Sequence, residues 1–105
     1  SQDAQASKAS PSSGGDNYKA RKAIDKALRK AKNAVERHEK KVAELEAKLE
    51  ESNAAMAAVD PSDRAKVTEM AYAFEALQNE MQETINLWEK AVEEHDRLQT
   101  EAASM

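Results

Sequence analysis

The chain of 105 residues contains no cysteine, only two glycines and two prolines, and just one Trp, two Tyr and one Phe. Without cysteine it has no disulfide framework and no thiolate ligand for a metal. No apolar run approaches the roughly 20 residues that a membrane-spanning helix requires. The N-terminal residues also lack the hydrophobic segment of a secretory signal. We therefore expect a cytoplasmic protein with no membrane partner.

Charged residues are plentiful, at 34% of the chain, and they recur together with Ala and Leu along most of its length. This composition, poor in turn-forming residues, is typical of long helices. Aromatic residues make up only 4% of the chain, so bulky side chains are too few to fill a globular core. The sequence therefore predicts an all-α protein whose buried surface is a narrow seam between helices.

The first half of the chain carries a heptad pattern, in which apolar or small residues recur at alternating spacings of three and four. This seam consists of Ile24, Leu28, Ala31, Val35, His38, Val42, Leu45, Leu49, Ser52, Met56 and Val59. An uninterrupted pattern of this length predicts a coiled-coil helix, helix 1, over about residues 17–57. Residues 1–16 are rich in Ser, Ala, Gln and Gly and have no large apolar side chain. We expect them to form a disordered linker.

The heptad pattern breaks at Asp60 and Pro61. Proline disfavours helix at the residue before it and is well suited to the first position of a new helix. The sequence therefore predicts a turn over residues 58–62, with Asp60 capping a second helix that runs from about residue 62 to residue 100.

A second seam follows along helix 2. It consists of Val67, Met70, Phe74, Leu77, Met81, Thr84, Trp88, Ala91, His95 and Leu98. Ile85 and Val92 lie beside this line, so the apolar spacing changes locally, as it does at a coiled-coil stutter. We expect a broadened contact near residues 81–88.

The charge distribution favours folding the two helices back on each other. Basic residues crowd positions 19–22 at the start of helix 1, and acidic residues crowd positions 93–96 near the end of helix 2, each opposing its own helix dipole. Reversal at Pro61 brings the two clusters together. The predicted fold is a monomeric two-helix antiparallel coiled-coil hairpin over residues 17–101, with a disordered N-terminal tail.

The hairpin register pairs residues whose numbers sum to about 120. Trp88 then lies opposite Ala31, where a large ring meets a small side chain, and Phe74 lies near Leu45. We expect five structural anchors: Trp88, Phe74, Leu45, Ala31 and Pro61.

No catalytic constellation is present in the sequence. It contains neither a Gly-rich phosphate-binding loop nor a nucleophile motif. The two histidines, His38 and His95, fall at different levels of the hairpin, which leaves each without the partners that a zinc site needs. We therefore expect a chain that is not an enzyme and binds no metal or other cofactor.

The most informative charge feature lies between residues 17 and 42, where ten Lys or Arg residues stand against three acids, a local charge of +7. Basic residues concentrated along one helix are suited to neutralising nucleic-acid phosphates. The candidate nucleic-acid-binding residues are Lys19, Arg21, Lys22, Lys26, Arg29, Lys30, Lys32 and Arg37. The alternative is that these charges pair with acids of helix 2. The chain would then be a structural or protein-interaction coiled coil, associating with the ribosome or with itself, without intrinsic nucleic-acid binding.

Several sequence features together resemble the C-terminal domain of the ABC-F family ATPases, in particular its Uup-like members. The basic helix continues into HEKKVAELEAKLEE, the turn reads VDPSDRAKV, and the second helix contains AYAFEALQNEMQETINLWEKA. The matching positions are Leu45, Glu46, Leu49, Glu50, Asp60, Pro61, Trp88 and Glu89. The resemblance covers roughly residues 18–99.

This resemblance implies an accessory domain that follows two ABC ATPase domains in a longer cytoplasmic protein. ATP and Mg²⁺ would bind only in those upstream domains, and the whole protein would act on the ribosome in translation. In Uup-like members the hairpin has been associated with DNA binding. The resemblance thus implies DNA, or ribosomal RNA, as a partner of the basic residues on helix 1.

Overall fold

A computed structural model describes the backbone of residues 2–105 and the side chains of residues 15–105. The chain is all-α, with helix α1 at Gln2–Ala58 and helix α2 at Arg64–Ala103. The prediction of a two-helix antiparallel hairpin is therefore confirmed. Helix α1 begins at Gln2, ahead of the helix start predicted near residue 17. The side chains of residues 1–14 lie outside the described part of the chain. The predicted disordered linker over residues 1–16 stays a prediction.

The turn between the helices is built by two aspartates. The Asp63 N–H donates to the Asp60 carbonyl oxygen at 3.0 Å, which closes a β-turn with Pro61 at its second position. The Asp60 carboxylate accepts hydrogen bonds from the Ser62 N–H at 3.0 Å and the Ser62 hydroxyl at 2.9 Å. These bonds lower the pKa of Asp60, since they stabilise its ionised form.

Asp63, rather than the predicted Asp60, caps α2. Its side-chain oxygen accepts a hydrogen bond from the Lys66 N–H at 3.2 Å, and its carbonyl oxygen accepts one from the Val67 N–H at 3.0 Å. These are the bonds of an N-cap residue. The predicted cap lies three residues too early, because Asp60-Pro61-Ser62-Asp63 offers two candidate caps and the β-turn uses the first.

The hairpin divides into two compact units, which we name by their content. The turn unit comprises Ala34–Lys90, and the terminal unit comprises Ser1–Asn33 with Ala91–Met105. In the turn unit Leu45 is fully buried. Lys41 Nζ lies 2.9 Å from Glu80 Oε2, which agrees with the predicted register to within one residue. Phe74 lines a groove with Leu49, one turn from the predicted neighbour Leu45.

The terminal unit has a small core of its own. Ile24, Ala31 and Leu98 are buried and pack together, with Ala27, Leu28 and Ala102 partly buried against them. Every position of the predicted α1 seam is buried or half-buried. Because this seam occupies one face of α1, the opposite face of the helix is left to the solvent.

The seam of α2 is wider than a strict heptad, as the stutter predicts. Thr84 is buried and Ile85 beside it is half-buried, and Ala91 and Val92 are both half-buried. The Thr84 hydroxyl donates to the Glu80 carbonyl oxygen at 2.8 Å, which satisfies the one buried polar side chain found among residues 15–105. Of the predicted α2 seam positions, Val67 alone is exposed.

Candidate nucleic-acid interface

Five basic side chains lie on one face of α1 in the terminal unit, and we call them the basic strip. The strip consists of Lys19, Lys22, Lys26, Arg29 and Lys30. Successive members are three or four residues apart, apart from the adjacent pair at its end, so their side chains share the face opposite buried Ile24 and Ala31. All five are exposed. The strip extends about 16 Å along the helix, at 1.5 Å per residue.

Four of these cations line one shallow surface groove. The groove is lined by Lys19, Lys22, Lys26 and Arg29 together with Ala23. Because Ala23 is small, it leaves room for a ligand atom to approach the ammonium and guanidinium groups of the lining. The groove is therefore suited to an anionic, extended ligand.

The other predicted basic residues lie apart from the strip. Arg21 and Lys32 are exposed in the terminal unit, but their positions on α1 are nearer the seam side. Arg37 is exposed in the turn unit. The structure thus brings five of the eight candidates together in the terminal unit. Arg21 and Lys32 lie outside that face, whereas Arg37, seven residues after Lys30, has the same heptad position as Lys30 but belongs to the turn unit.

The charges of the basic strip are not neutralised by ion pairs with the described side chains. None of its five cations has a carboxylate oxygen within 4.0 Å among residues 15–105. Of the ten basic residues between positions 17 and 42, Lys41 alone pairs with a described carboxylate, that of Glu80. This pair raises the pKa of Lys41, first through the hydrogen bond and then through the charge of Glu80.

Two acids of the terminal unit, Glu94 and Glu101, pair with an arginine on their own helix. Arg97 donates to Glu94 through Nε at 2.9 Å and Nη2 at 2.8 Å, and its Nη1 reaches Glu101 at 3.3 Å. The Arg97 hydrogen bonds lower the pKa of Glu94. The expected attraction between the start of helix 1 and the end of helix 2 therefore takes no direct ion-paired form in the described residues. An arginine three residues away reaches Glu94 without crossing the seam.

Tyr18 adds an aromatic ring beside the strip, which sequence reasoning did not select. Lys22 Nζ lies 5.9 Å from the centre of the Tyr18 ring, a cation–π distance. The Tyr18 side chain is 66% exposed. The spacing of four residues between Tyr18 and Lys22 could have identified Tyr18 from the sequence, because it places both side chains on one helix face.

Trp88 serves the turn unit rather than a ligand surface. Its indole N–H donates to Glu39 Oε2 at 3.1 Å, and its ring lines an apolar groove with Val42 and Ile85. Glu39 lies two turns further along α1 than Ala31, the predicted neighbour of Trp88. The indole reaches this far because Glu39 provides an acceptor for its N–H, which Ala31 lacks.

Within the described part of the chain, neither helix has a stretch that is both long and hydrophobic enough to span a bilayer. No three His, Asp or Glu side chains in that part lie close enough together to hold a metal ion. Comparison of the chain with protein-family models, curated proteins and solved structures gives no match.

Proposed function

We propose that this chain is a non-catalytic nucleic-acid-binding hairpin whose basic strip contacts the phosphate backbone of DNA or ribosomal RNA. The observation that carries the proposal is the set of five exposed cations on one face of α1 without a carboxylate partner among the described side chains. A charged surface kept for internal pairing would show ion pairs, but neither Asp16 nor Asp25, the acids of α1 closest in sequence to the strip, pairs with a strip cation. The acids Glu94 and Glu101 instead bond to Arg97.

The chemistry of the strip favours phosphate contacts over base recognition. Lysine offers a point charge, and only Arg29 has the planar guanidinium that bonds bidentately to a base edge or a phosphate. Binding should therefore be largely independent of sequence and strongly weakened by salt. The net charge of −4 makes the whole chain acidic, so a nucleic acid must approach through this one face.

The test is a binding titration of the full chain with a labelled duplex at low salt, followed by fluorescence anisotropy. Replacing Lys26, Arg29 and Lys30 together by Glu should reduce affinity at least tenfold. The matched control replaces Lys48, Lys66 and Lys90 by Glu, which changes the net charge by the same six units on exposed positions outside the strip. The proposal fails if both triple variants lose affinity equally, or if the wild-type chain binds neither this duplex nor a single strand of equal length.

Parallel titrations with duplex DNA and with duplex RNA of one sequence separate the two sources of phosphate. Both carry the charge that the strip recognises, but A-form RNA presents its phosphates and 2′-hydroxyls in a different groove geometry. Tighter binding of the DNA duplex favours DNA as the partner, and tighter binding of the RNA duplex favours RNA.

We also propose, from the Leu-Glu repeat, the Asp60-Pro61 turn and the Trp88-Glu89 pair, that the hairpin is the C-terminal accessory domain of an ABC-F type ATPase. Catalysis would then belong to upstream ATP-binding domains. Sequencing the transcript upstream of the codon for Ser1 tests this point. Two ABC cassettes in frame are expected, and a reading frame that lacks them contradicts the assignment.

A further inference from the structure

Tyr18 stands at the start of the basic strip with its ring largely in solvent. Its 66% exposure leaves most of the aromatic surface without a protein contact. Lys22 Nζ at 5.9 Å is the one cation recorded over an aromatic ring among the described side chains. Lys19 is its chain neighbour, and the far end of the strip at Lys30 lies about 18 Å along the helix axis.

The other aromatic side chains lack this combination of exposure and positive charge. Phe74 and Trp88 are half-buried in the turn unit. Tyr72 is as exposed as Tyr18, at 69%, but the charged residues within one turn on either side of it are Glu69 and Glu75. Two carboxylates repel a phosphate backbone, so Tyr72 is a poor neighbour for nucleic acid.

We infer that Tyr18 is a stacking platform for an unpaired base, and that the terminal unit takes single-stranded nucleic acid with its phosphates along the basic strip. This inference rests on the proposed function and names the class of nucleic acid. Every base has a π face, so stacking on a tyrosine ring tolerates any sequence, as the backbone contacts do. A duplex keeps its bases stacked on each other and offers the ring a base only at its ends.

The geometry gives each group a separate task. The cation of Lys22 near the ring attracts the phosphate that flanks the stacked base. Lys26, Arg29 and Lys30, further along the same face, then follow the strand. Since ribose and deoxyribose strands share bases and phosphates, the site accepts either, and the two are compared directly in the test.

The experiment measures binding of the full chain to two labelled strands of equal length by fluorescence anisotropy at low salt. One strand is oligo(dT), and the other is an abasic strand with the same number of phosphates. Wild-type protein should bind oligo(dT) about fivefold more tightly than the abasic strand, the lower end of what one stacking aromatic contributes. Oligo(U) and oligo(dU), compared in two further titrations, differ only in the 2′-hydroxyl group and show whether ribose strengthens or weakens the contact.

Three variants test whether Tyr18 is the source of the preference for oligo(dT) over the abasic strand. Tyr18→Ala should bind both strands with the affinity that wild type has for the abasic one, and Tyr18→Phe should retain the preference because its ring is intact. Tyr72→Ala, the matched exposed tyrosine, should behave as wild type. Upfield shifts of the Tyr18 ring protons on adding oligo(dT), absent with the abasic strand, report stacking directly.

The outcomes separate the inference from the proposed function. If wild type binds both strands equally and Tyr18→Ala changes nothing, the strip binds phosphates and the stacking inference is wrong. If wild type binds neither strand nor a duplex at low salt, the proposed function itself is wrong.

Discussion

Leu45 occupies the centre of the turn unit and has no exposed surface. It is also the one large side chain that is completely buried among those described. A two-helix hairpin has little core, so a single deeply buried leucine carries an unusual share of its stability.

Replacing Leu45 by Ala should lower the free energy of unfolding by about 2–4 kcal/mol, because the change removes buried methyl groups and leaves a cavity. Urea unfolding followed by circular dichroism measures the loss. Leu87→Ala is the matched control, since Leu87 is 51% exposed and should change stability by less than about 0.5 kcal/mol. Equal losses in the two variants would contradict the packing described for Leu45.

Individual residues also mark the limit of prediction from sequence. Heptad spacing identified Leu45 and Ala31 as buried, because a helix has a fixed angle per residue and the spacing alone determines the buried face. The same spacing could not give the neighbour of Trp88. That contact is set by hydrogen bonding of the indole to Glu39 and by the reach of two long side chains, neither of which the apolar pattern records.

At the scale of helices, the start of α2 depends on one side chain. Asp63 accepts the Lys66 N–H, one of the amide groups at the helix start that have no partner within the helix. The neighbouring Asp60 is engaged with Ser62 in the preceding turn. The two aspartates therefore have separate tasks that substitution can distinguish.

Asp63→Ala should lower the free energy of unfolding by about 1 kcal/mol, the usual loss for an N-cap aspartate. Thermal unfolding followed at the helical circular dichroism band measures it. Asp96→Ala, at an exposed position inside α2, is the control and should have a smaller effect. A larger loss for Asp60→Ala than for Asp63→Ala would return the capping role to Asp60.

Acidification should remove the contribution of the ionised Asp60 side chain to the stability of the folded state. Its pKa is lowered from the ordinary 3.8 by its hydrogen bonds to Ser62, so its stabilising effect is complete above that value. The effect is lost as the pH falls through the lower pKa of the folded state, because the unfolded chain then binds the proton more readily. Melting temperatures of wild type and Asp60→Asn should differ at pH 7 and converge towards pH 2. A difference in melting temperature that widens on acidification would contradict the predicted direction of this effect.

The element scale shows why the turn was predictable and its cap was not. Pro61 ends the heptad pattern and fixes the position of the chain reversal. The Asp60-Pro61-Ser62-Asp63 sequence, however, fits either a helix that starts at Pro61 or a β-turn followed by a helix. Only the hydrogen-bond acceptors of the folded chain distinguish the two.

At the scale of the whole molecule, charge is distributed unevenly. Residues 43–105 carry fifteen acids against five Lys or Arg, whereas residues 17–42 have the opposite excess. Sequence reasoning located the basic segment, since counting charges requires no structure. It could not determine which cations remain unpaired, because that depends on rotamers and on competition within α2, where Arg97 engages Glu94 and Glu101.

The central claim, that the basic strip contacts phosphates, is tested most directly by the salt dependence of duplex binding in wild type, Lys26→Gln and Lys48→Gln. Five phosphate contacts give a slope of log K against log salt of about −4.5, and removal of one contact makes the slope shallower by about 0.9. We predict that change for Lys26→Gln and none for Lys48→Gln. Identical slopes in all three proteins would contradict the claim.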